Sequence, residues 1–166
     1  MSELLSALVT GGSTGLGAEI CRHLKGQGYE VVSLSRRKAP AALGVASIEA
    51  DLLDPVATTA ASAEIARRFS ITHFIHSAGL IRIARLGEVA ADDMAAMARI
   101  HLTAPTELAQ ALLPSMRARK LGRIVLLASR AAVGMPARTG YGATKAGMIA
   151  MARTWALELA RDGITR

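Results

Sequence analysis

Apolar segments of strand length and of helix length alternate along the whole chain. Continuous apolar runs at residues 4–10, 29–35, 45–50, 71–75 and 123–128 predict strands buried on both faces. Helical spacing of apolar residues predicts helices at 15–27, 55–69, 92–119 and about 141–159. Buried strands joined through helices indicate right-handed crossovers within a parallel sheet. The sequence therefore predicts a doubly wound α/β fold, formed as a single domain over residues 1–166.

Two segments fit this pattern poorly. Only nine residues, 36–44, separate the second and third predicted strands, which is short for a crossover helix. We expect a loop or a single helical turn there. Pro105 and Pro114 fall inside the long predicted helix, where proline kinks or breaks helical hydrogen bonding, so the bounds of that helix stay open.

Composition narrows the class of protein. Of 166 residues, 51% are hydrophobic and 20% charged, which excludes a disordered chain. No apolar run reaches the roughly 18 residues that a membrane span requires. The N-terminus has no basic region of the kind that opens a signal peptide, so we expect a cytoplasmic protein. Cys21, the one cysteine, cannot form an internal disulfide, and we expect it to be a buried helix residue.

A net charge of +7 raises the possibility of a nucleic-acid partner. The basic residues are dispersed, apart from clusters at residues 36–38 and 117–123. Neither cluster contains the interleaved aromatic residues on which single-stranded nucleic acids stack. We therefore expect a small-molecule substrate, with no nucleic-acid or membrane partner.

A glycine-rich turn follows the first predicted strand. The chain reads Thr-Gly-Gly-Ser-Thr-Gly-Leu-Gly over residues 10–17, directly before a predicted helix. Glycines let the backbone approach a ligand closely, and a helix N-terminus offers free N–H groups to a pyrophosphate. In this position the turn predicts a dinucleotide site, with an ordinary strand-to-helix turn as the alternative. The candidate residues are Gly11, Ser13, Gly15, Leu16 and Gly17.

The second predicted strand ends in Ser35-Arg36-Arg37-Lys38, without a carboxylate. In dinucleotide folds an acidic residue near this position binds the ribose 2′-hydroxyl of NAD, whereas arginine accommodates the 2′-phosphate of NADP. Arginine also makes charge-assisted, bidentate contacts to phosphate. The sequence therefore favours NADP(H) over NAD(H), with a solvated basic loop as the alternative.

Tyr141 and Lys145 lie four residues apart, on one face of the last predicted helix. A free tyrosine titrates at a pH of about 10 and is a poor acid or base at neutral pH. A nearby cation favours the phenolate, so the pair suggests a proton-transfer centre. Taken alone the pair is weak evidence, because a half-buried tyrosine beside a solvated lysine gives the same spacing.

Further motifs occur in order at the ends of the predicted strands. Asp51-Leu52 follow the third strand, Ser77-Ala78-Gly79 follow the fourth, and Ser129 ends the fifth, twelve residues before Tyr141. With the glycine turn, these motifs resemble the short-chain dehydrogenase/reductase family, which includes the 3-oxoacyl-acyl-carrier-protein reductases. The resemblance extends over essentially the whole chain and implies a Rossmann-type fold.

The resemblance implies hydride transfer between a nicotinamide cofactor and a ketone or secondary alcohol, including 3-oxoacyl thioesters. Tyr141 would exchange a proton with the substrate oxygen, and Lys145 would lower the Tyr141 pKa and hold the nicotinamide ribose. Ser129 would hydrogen-bond the substrate oxygen as charge develops. Asp51 and Leu52 would contact the adenine, and residues 77–79 would border the cofactor. Family members often form homotetramers or dimers, so we also expect an oligomer.

The chain departs from the family pattern at two histidines. His101-Leu102-Thr103 stand where the family has Asn-Leu-Thr, and the asparagine supports a proton relay from the lysine. The relay could use the main chain of His101, while the imidazole itself can titrate near neutral pH. The alternative is a core histidine with one hydrogen bond. His76 also replaces a common asparagine, and its three-residue spacing from His73 on a strand argues against a metal site.

The chain is also shorter than members of that family, and it ends where a sixth strand would begin. We expect that it lacks the C-terminal strands and the substrate lid, and that it is the ordered N-terminal part of a longer chain. An intact mass well above 17.3 kDa would support this expectation. A cofactor-binding but inactive relative, acting as a sensor or partner protein, is the main alternative function. A basic nucleic-acid binder ranks last.

Overall fold

One parallel sheet forms the centre of the molecule. The structure, a computed structural model, describes residues 4–165. Its strands lie in the order β3-β2-β1-β4-β5-β6, and each neighbouring pair is parallel. The strands are β1 (Ser6–Thr10), β2 (Glu30–Ser35), β3 (Ala46–Glu49), β4 (His73–His76), β5 (Gly122–Leu126) and β6 (Ile164–Thr165). This order confirms the predicted doubly wound fold.

Helices connect the strands and cover both faces of the sheet. They are α1 (Gly15–Gly26), α2 (Pro55–Arg68), α3 (Ala91–Ala98), α4 (Ala104–Arg119) and α5 (Thr139–Leu159). Shorter 3₁₀ turns occur at Ala41–Leu43, Arg130–Val133 and Ala160–Asp162. The first of these shows that, of the loop or single helical turn expected between β2 and β3, the chain forms the turn. No helix within residues 4–165 is long and apolar enough to cross a membrane.

Two apolar clusters pack against the sheet, one on each face. Alternate residues of β1 point to opposite faces, so Leu8 joins one cluster while Ala7 and Val9 join the other. The larger cluster includes Phe74 and side chains of α2 and α4. The smaller one includes Cys21, which is buried as predicted, and burial raises the pKa of its thiol to about 11.

The long helix predicted at residues 92–119 is wrong as a single α-helix. A π-turn at Arg99–Thr103 separates α3 from α4. Within it the Ala104 N–H donates to the Arg99 carbonyl, five residues earlier. Pro105 then falls in the first turn of α4, where a missing N–H is tolerated, so the chain absorbs this proline without a break. Pro114 remains inside α4.

The other predicted bounds differ by a few residues. The strand predicted at 123–128 ends at Leu126, and the fourth strand runs from His73 to His76. Ile164 and Thr165 pair with Gly122 and Arg123, so the sixth strand begins where the sequence indicated. These shifts move the strand ends by one or two residues and leave the order of the site motifs unchanged.

Candidate active site

A cleft of about 600 Å³ opens at the carboxyl ends of the strands. The strand order changes direction between β1 and β4, and ligands of open α/β sheets bind at such a switch point. All the residues predicted to bind the cofactor line this cleft except Gly15, and Tyr141 and Lys145 lie at its other end. Gly15 instead begins α1. The fold therefore gathers the motifs of four strand ends, together with Tyr141 and Lys145 of α5, in one cleft.

The glycine turn forms a narrow cradle before α1. A side chain at Gly17 would overlap the Gly11 carbonyl, so the turn needs glycine there to bring its two halves together. Among the described residues, Thr14 makes no side-chain capping bond to the helix. The first N–H groups of α1 are consequently available to an anion at the cleft.

Basic side chains surround the end of the cleft next to β2. The Ser13 N–H donates to Ser35 Oγ at 3.3 Å, which ties the glycine turn to the end of that strand. Arg36 and Arg37 are exposed there, and neither pairs with a carboxylate within residues 4–165. A cradle with free N–H groups and two available guanidiniums fits a dinucleotide that carries an additional phosphate.

Lys145 is buried at the opposite end of the cleft, with 5% of its surface exposed. Its Nζ donates to the Leu127 carbonyl at 2.7 Å and to Met148 Sδ at 3.3 Å. The same nitrogen lies 5.6 Å from the centre of the Tyr141 ring. Burial lowers the pKa of Lys145 to about 8, so the side chain is an ammonium at neutral pH with one N–H left for a ligand.

His101 packs behind Tyr141, with the two ring centres 5.6 Å apart in an edge-to-face arrangement. The side chain is fully buried, and its Nε2 accepts from the Leu80 N–H at 3.3 Å. Nδ1 therefore carries the proton and donates to Thr144 Oγ1 at 2.9 Å. His101 thus connects the loop after β4 with α5 through two hydrogen bonds.

Burial and the nearby Lys145 charge lower the pKa of His101 to about 4. The expectation that this imidazole titrates near neutral pH is therefore wrong, because the ring is neutral and its tautomer is fixed. The alternative of a core histidine with one hydrogen bond also falls short, because both ring nitrogens are bonded.

Ser129 lies just beyond β5, at the start of the 3₁₀ turn Arg130–Val133. Its hydroxyl accepts from the Ala131 N–H at 3.2 Å, and Ser129 itself does not line the cleft. A side chain at Gly142 would come within 2.7 Å of the Ala131 carbonyl. Glycine at that position lets α5 approach the turn that carries Ser129, next to Tyr141.

Comparison with known proteins agrees with this arrangement. A family model described as short chain dehydrogenase matches residues 6–166, which is nearly the whole chain. The chain belongs to the short-chain dehydrogenase family. The resemblance inferred from the ordered motifs is thereby confirmed.

Several relatives in this family are 3-oxoacyl-[acyl-carrier-protein] reductases. FabG of Staphylococcus aureus is 35% identical over 181 residues, covering 99% of this chain and 72% of that protein. MabA of Mycobacterium avium is 29% identical over 162 residues, covering 96% and 63%. A 3-oxoacyl reductase structure from Agrobacterium tumefaciens with NADP bound has a TM-score of 0.89 at 27% identity, covering 96% and 66%. The chain therefore spans just under two thirds of its mycobacterial relative.

A second solved member of the family has a closely similar fold. It is a putative NAD(P)-dependent gluconate 5-dehydrogenase from Beutenbergia cavernae, with NADP at low occupancy. Its TM-score is 0.92 at 25% identity, covering 96% of this chain and 68% of that one. Members of this family thus share the fold even where their names indicate different substrates.

The sequence indicated no role for two polar residues that this protein buries beside the site. Thr10 ends β1 and His76 ends β4, and both are fully buried. A threonine or a histidine inside an otherwise apolar strand was the available signal, because a buried polar group must find a partner. Within residues 4–165 no group of three His, Cys, Asp or Glu side chains could hold a metal ion.

Proposed function

We propose that this protein is an oxidoreductase that transfers a hydride between NADP(H) and a ketone or secondary alcohol. The observation that carries the proposal is the single cleft that joins Arg36 and the glycine turn to Tyr141 and Lys145. A dinucleotide bound along it would have its phosphates at the glycine turn and its nicotinamide near Tyr141. Family membership and the NADP-bound relatives support this reading.

In this mechanism the glycine turn, Arg36 and Lys145 would hold the nicotinamide cofactor, whose chemistry would be to supply a hydride for the carbonyl carbon. Tyr141 gives the phenolic proton to the carbonyl oxygen during reduction and takes the hydroxyl proton during oxidation. The Lys145 ammonium stabilises the negative charge that Tyr141 acquires, because it lies beside the ring in a buried setting of low dielectric. Its remaining N–H is available to the ribose of the cofactor.

Ser129 is the proposed donor to the substrate oxygen, from the turn that Gly142 brings close to Tyr141. The proposed substrate class is the 3-oxoacyl thioesters, because the FabG and MabA relatives are 3-oxoacyl-[acyl-carrier-protein] reductases. A ketone of that class exposes a polarised carbonyl beside a flexible acyl chain. We propose this class because of those relatives, since the fold alone does not distinguish it from other ketones and secondary alcohols.

The test is NADPH oxidation, followed by absorbance, with small ketones and a 3-oxoacyl thioester. Wild-type protein should turn over at least one of them, and Tyr141→Phe should bind NADPH with unchanged affinity while losing turnover by about 10²-fold or more. Binding of NADPH without turnover of any ketone would instead support the inactive sensor or partner protein.

Cofactor choice has its own test at Arg36. Arg36→Ala should lower the preference for NADPH over NADH by about tenfold or more, because a charge-assisted contact to the 2′-phosphate is lost. Arg153→Ala is the matched control, since Arg153 is an exposed arginine on α5 away from the cleft. Equal NADPH and NADH affinities in wild-type protein would contradict the proposed NADP specificity. The homotetramer or dimer stays a prediction, to be measured by light scattering.

A further inference from the structure

The π-turn leaves the Ile100 carbonyl without the donor that an α-helix or a π-helix would supply. In an α-helix it would accept from Ala104, but the Ala104 N–H donates to the Arg99 carbonyl instead. In continued π-geometry it would accept from residue 105, and Pro105 has no N–H. Since Ile100 is buried, an unpartnered carbonyl there would be destabilising.

His76 supplies the missing hydrogen bond from the neighbouring strand end. Its Nε2 lies 2.9 Å from the Ile100 carbonyl oxygen, which can only accept, so Nε2 must carry the proton. The imidazole is fully buried, and that burial lowers its pKa to about 3. His76 is therefore a neutral Nε2–H tautomer, opposite to the Nδ1–H tautomer of His101.

The other ring nitrogen of His76 reaches the cofactor turn. Nδ1 lies 2.9 Å from Thr10 Oγ1, and it accepts because it carries no proton. The same hydroxyl oxygen accepts the N–H groups of Ser77 and Ala78 at 3.1 and 3.0 Å. Every donor and acceptor in this chain of bonds is satisfied, from two residues of the cleft wall to the π-turn.

We propose that His76 is a positioning residue, which holds the π-turn in place through the Ile100 carbonyl and thereby sets where His101 and Tyr141 lie. His101 follows Ile100 directly in the π-turn, and its ring lies edge-to-face with the Tyr141 ring. A shift of the π-turn would therefore move His101, which packs against Tyr141, the proposed proton donor. The inference rests on the proposed carbonyl reduction.

Two substitutions at His76 separate its two bonds. His76→Asn places its amide near the position of Nδ1, so it keeps an acceptor for Thr10 and loses the donor to Ile100. His76→Gln reaches further and keeps a donor near the position of Nε2. Thr10→Val removes the hydroxyl, and Thr10→Ser restores it as the conservative control.

His76→Asn should lower kcat by about 10²-fold, since misplacement by roughly an ångström costs that much, while KM for NADPH stays within about threefold. His76→Gln should recover most of the lost kcat. Thr10→Val should raise KM for NADPH by about tenfold, because two N–H groups of the cleft wall lose their acceptor. Equal kcat values for the Asn and Gln variants would overturn the proposal, as would a loss of thermal stability with kcat unchanged.

A second measurement tests the tautomers of His76 and His101 directly, and it requires neither a folded variant nor turnover of a ketone. Long-range ¹H–¹⁵N correlation on histidine-labelled wild-type protein at pH 7 should show His76 as the Nε2–H tautomer and His101 as the Nδ1–H tautomer. An Nδ1–H or mixed signal for His76 would refute its bond to Ile100. If no ketone is turned over although both tautomers are as stated, the proposed function and the effect of His76 on catalysis are both refuted. The hydrogen bonds of His76 to Thr10 and Ile100 are then still confirmed.

Discussion

Acid should destabilise this protein through its two buried histidines. His76 and His101 are neutral in the folded state, where their pKa values are about 3 and about 4, against an ordinary value of 6.5. Between pH 6.5 and 4 the unfolded chain binds protons that the folded protein does not. The unfolding free energy must therefore fall as pH falls through that window, whereas above pH 6.5 these groups have no effect.

The magnitude follows from the size of the pKa change. For His101 the pKa falls from 6.5 to about 4, and one pH unit corresponds to about 1.4 kcal/mol. This side chain alone therefore removes about 3 kcal/mol from the unfolding free energy by pH 4. Domains of this size are stable by roughly 5–15 kcal/mol, so the two histidines together should bring the protein close to acid unfolding.

The assay is urea unfolding at a series of pH values from 7 to 4, followed by the fluorescence of Trp155, the only tryptophan. His101→Asn should reduce the slope of stability against pH by about 1 kcal/mol per pH unit, because asparagine does not titrate. His23→Asn is the matched control, since His23 is exposed on α1. Identical slopes for His101→Asn and wild type would refute the burial argument.

Three other substitutions test the packing of the site. Gly17→Ala should raise the Kd for NADPH by about tenfold or more, because the new methyl group overlaps a carbonyl of the cofactor turn. Gly26→Ala in the same helix has open space and should leave the Kd unchanged. Gly142→Ala should lower kcat by about tenfold with little effect on NADPH binding, because its methyl group would lie 2.7 Å from the Ala131 carbonyl. Lys145→Met should abolish turnover. It should also raise the unfolding free energy at pH 7 by about 1 kcal/mol, because burial of the ammonium costs about 3 kcal/mol. The Leu127 carbonyl, which loses its donor, offsets part of that gain. Unchanged turnover in Lys145→Met would contradict the assigned role.

The sequence was sufficient for the architecture because each strand is a continuous apolar run that begins and ends sharply. Strand order and the position of the cleft follow from parallel pairing and right-handed crossovers, which require no side-chain detail. The motifs after the first four strands therefore lie together in the cleft, whereas Ser129 does not line it. Residues 36–44 form a single 3₁₀ turn at Ala41–Leu43, the second of the two structures expected there.

The π-turn could not be predicted from the same pattern. Pro105 signalled an irregularity, but its sequence position alone does not distinguish a kink, a break and an extra residue in the turn. The outcome depends on a partner for the Ile100 carbonyl, and that partner, His76, comes from a distant strand. The low pKa of His101 could not be predicted for a similar reason. Its pKa is set by burial and by Lys145, which are properties of the packed structure.

The most direct test of the central claim uses NADPH that carries deuterium at both C4 positions of the nicotinamide, with a ketone or 3-oxoacyl thioester as acceptor. Hydride transfer predicts that the alcohol product carries one deuterium at the carbinol carbon. Tyr141→Phe should bind the labelled cofactor equally well and form that product about 10²-fold more slowly or worse. Alcohol without deuterium, or an unimpaired Tyr141→Phe variant, would contradict the account.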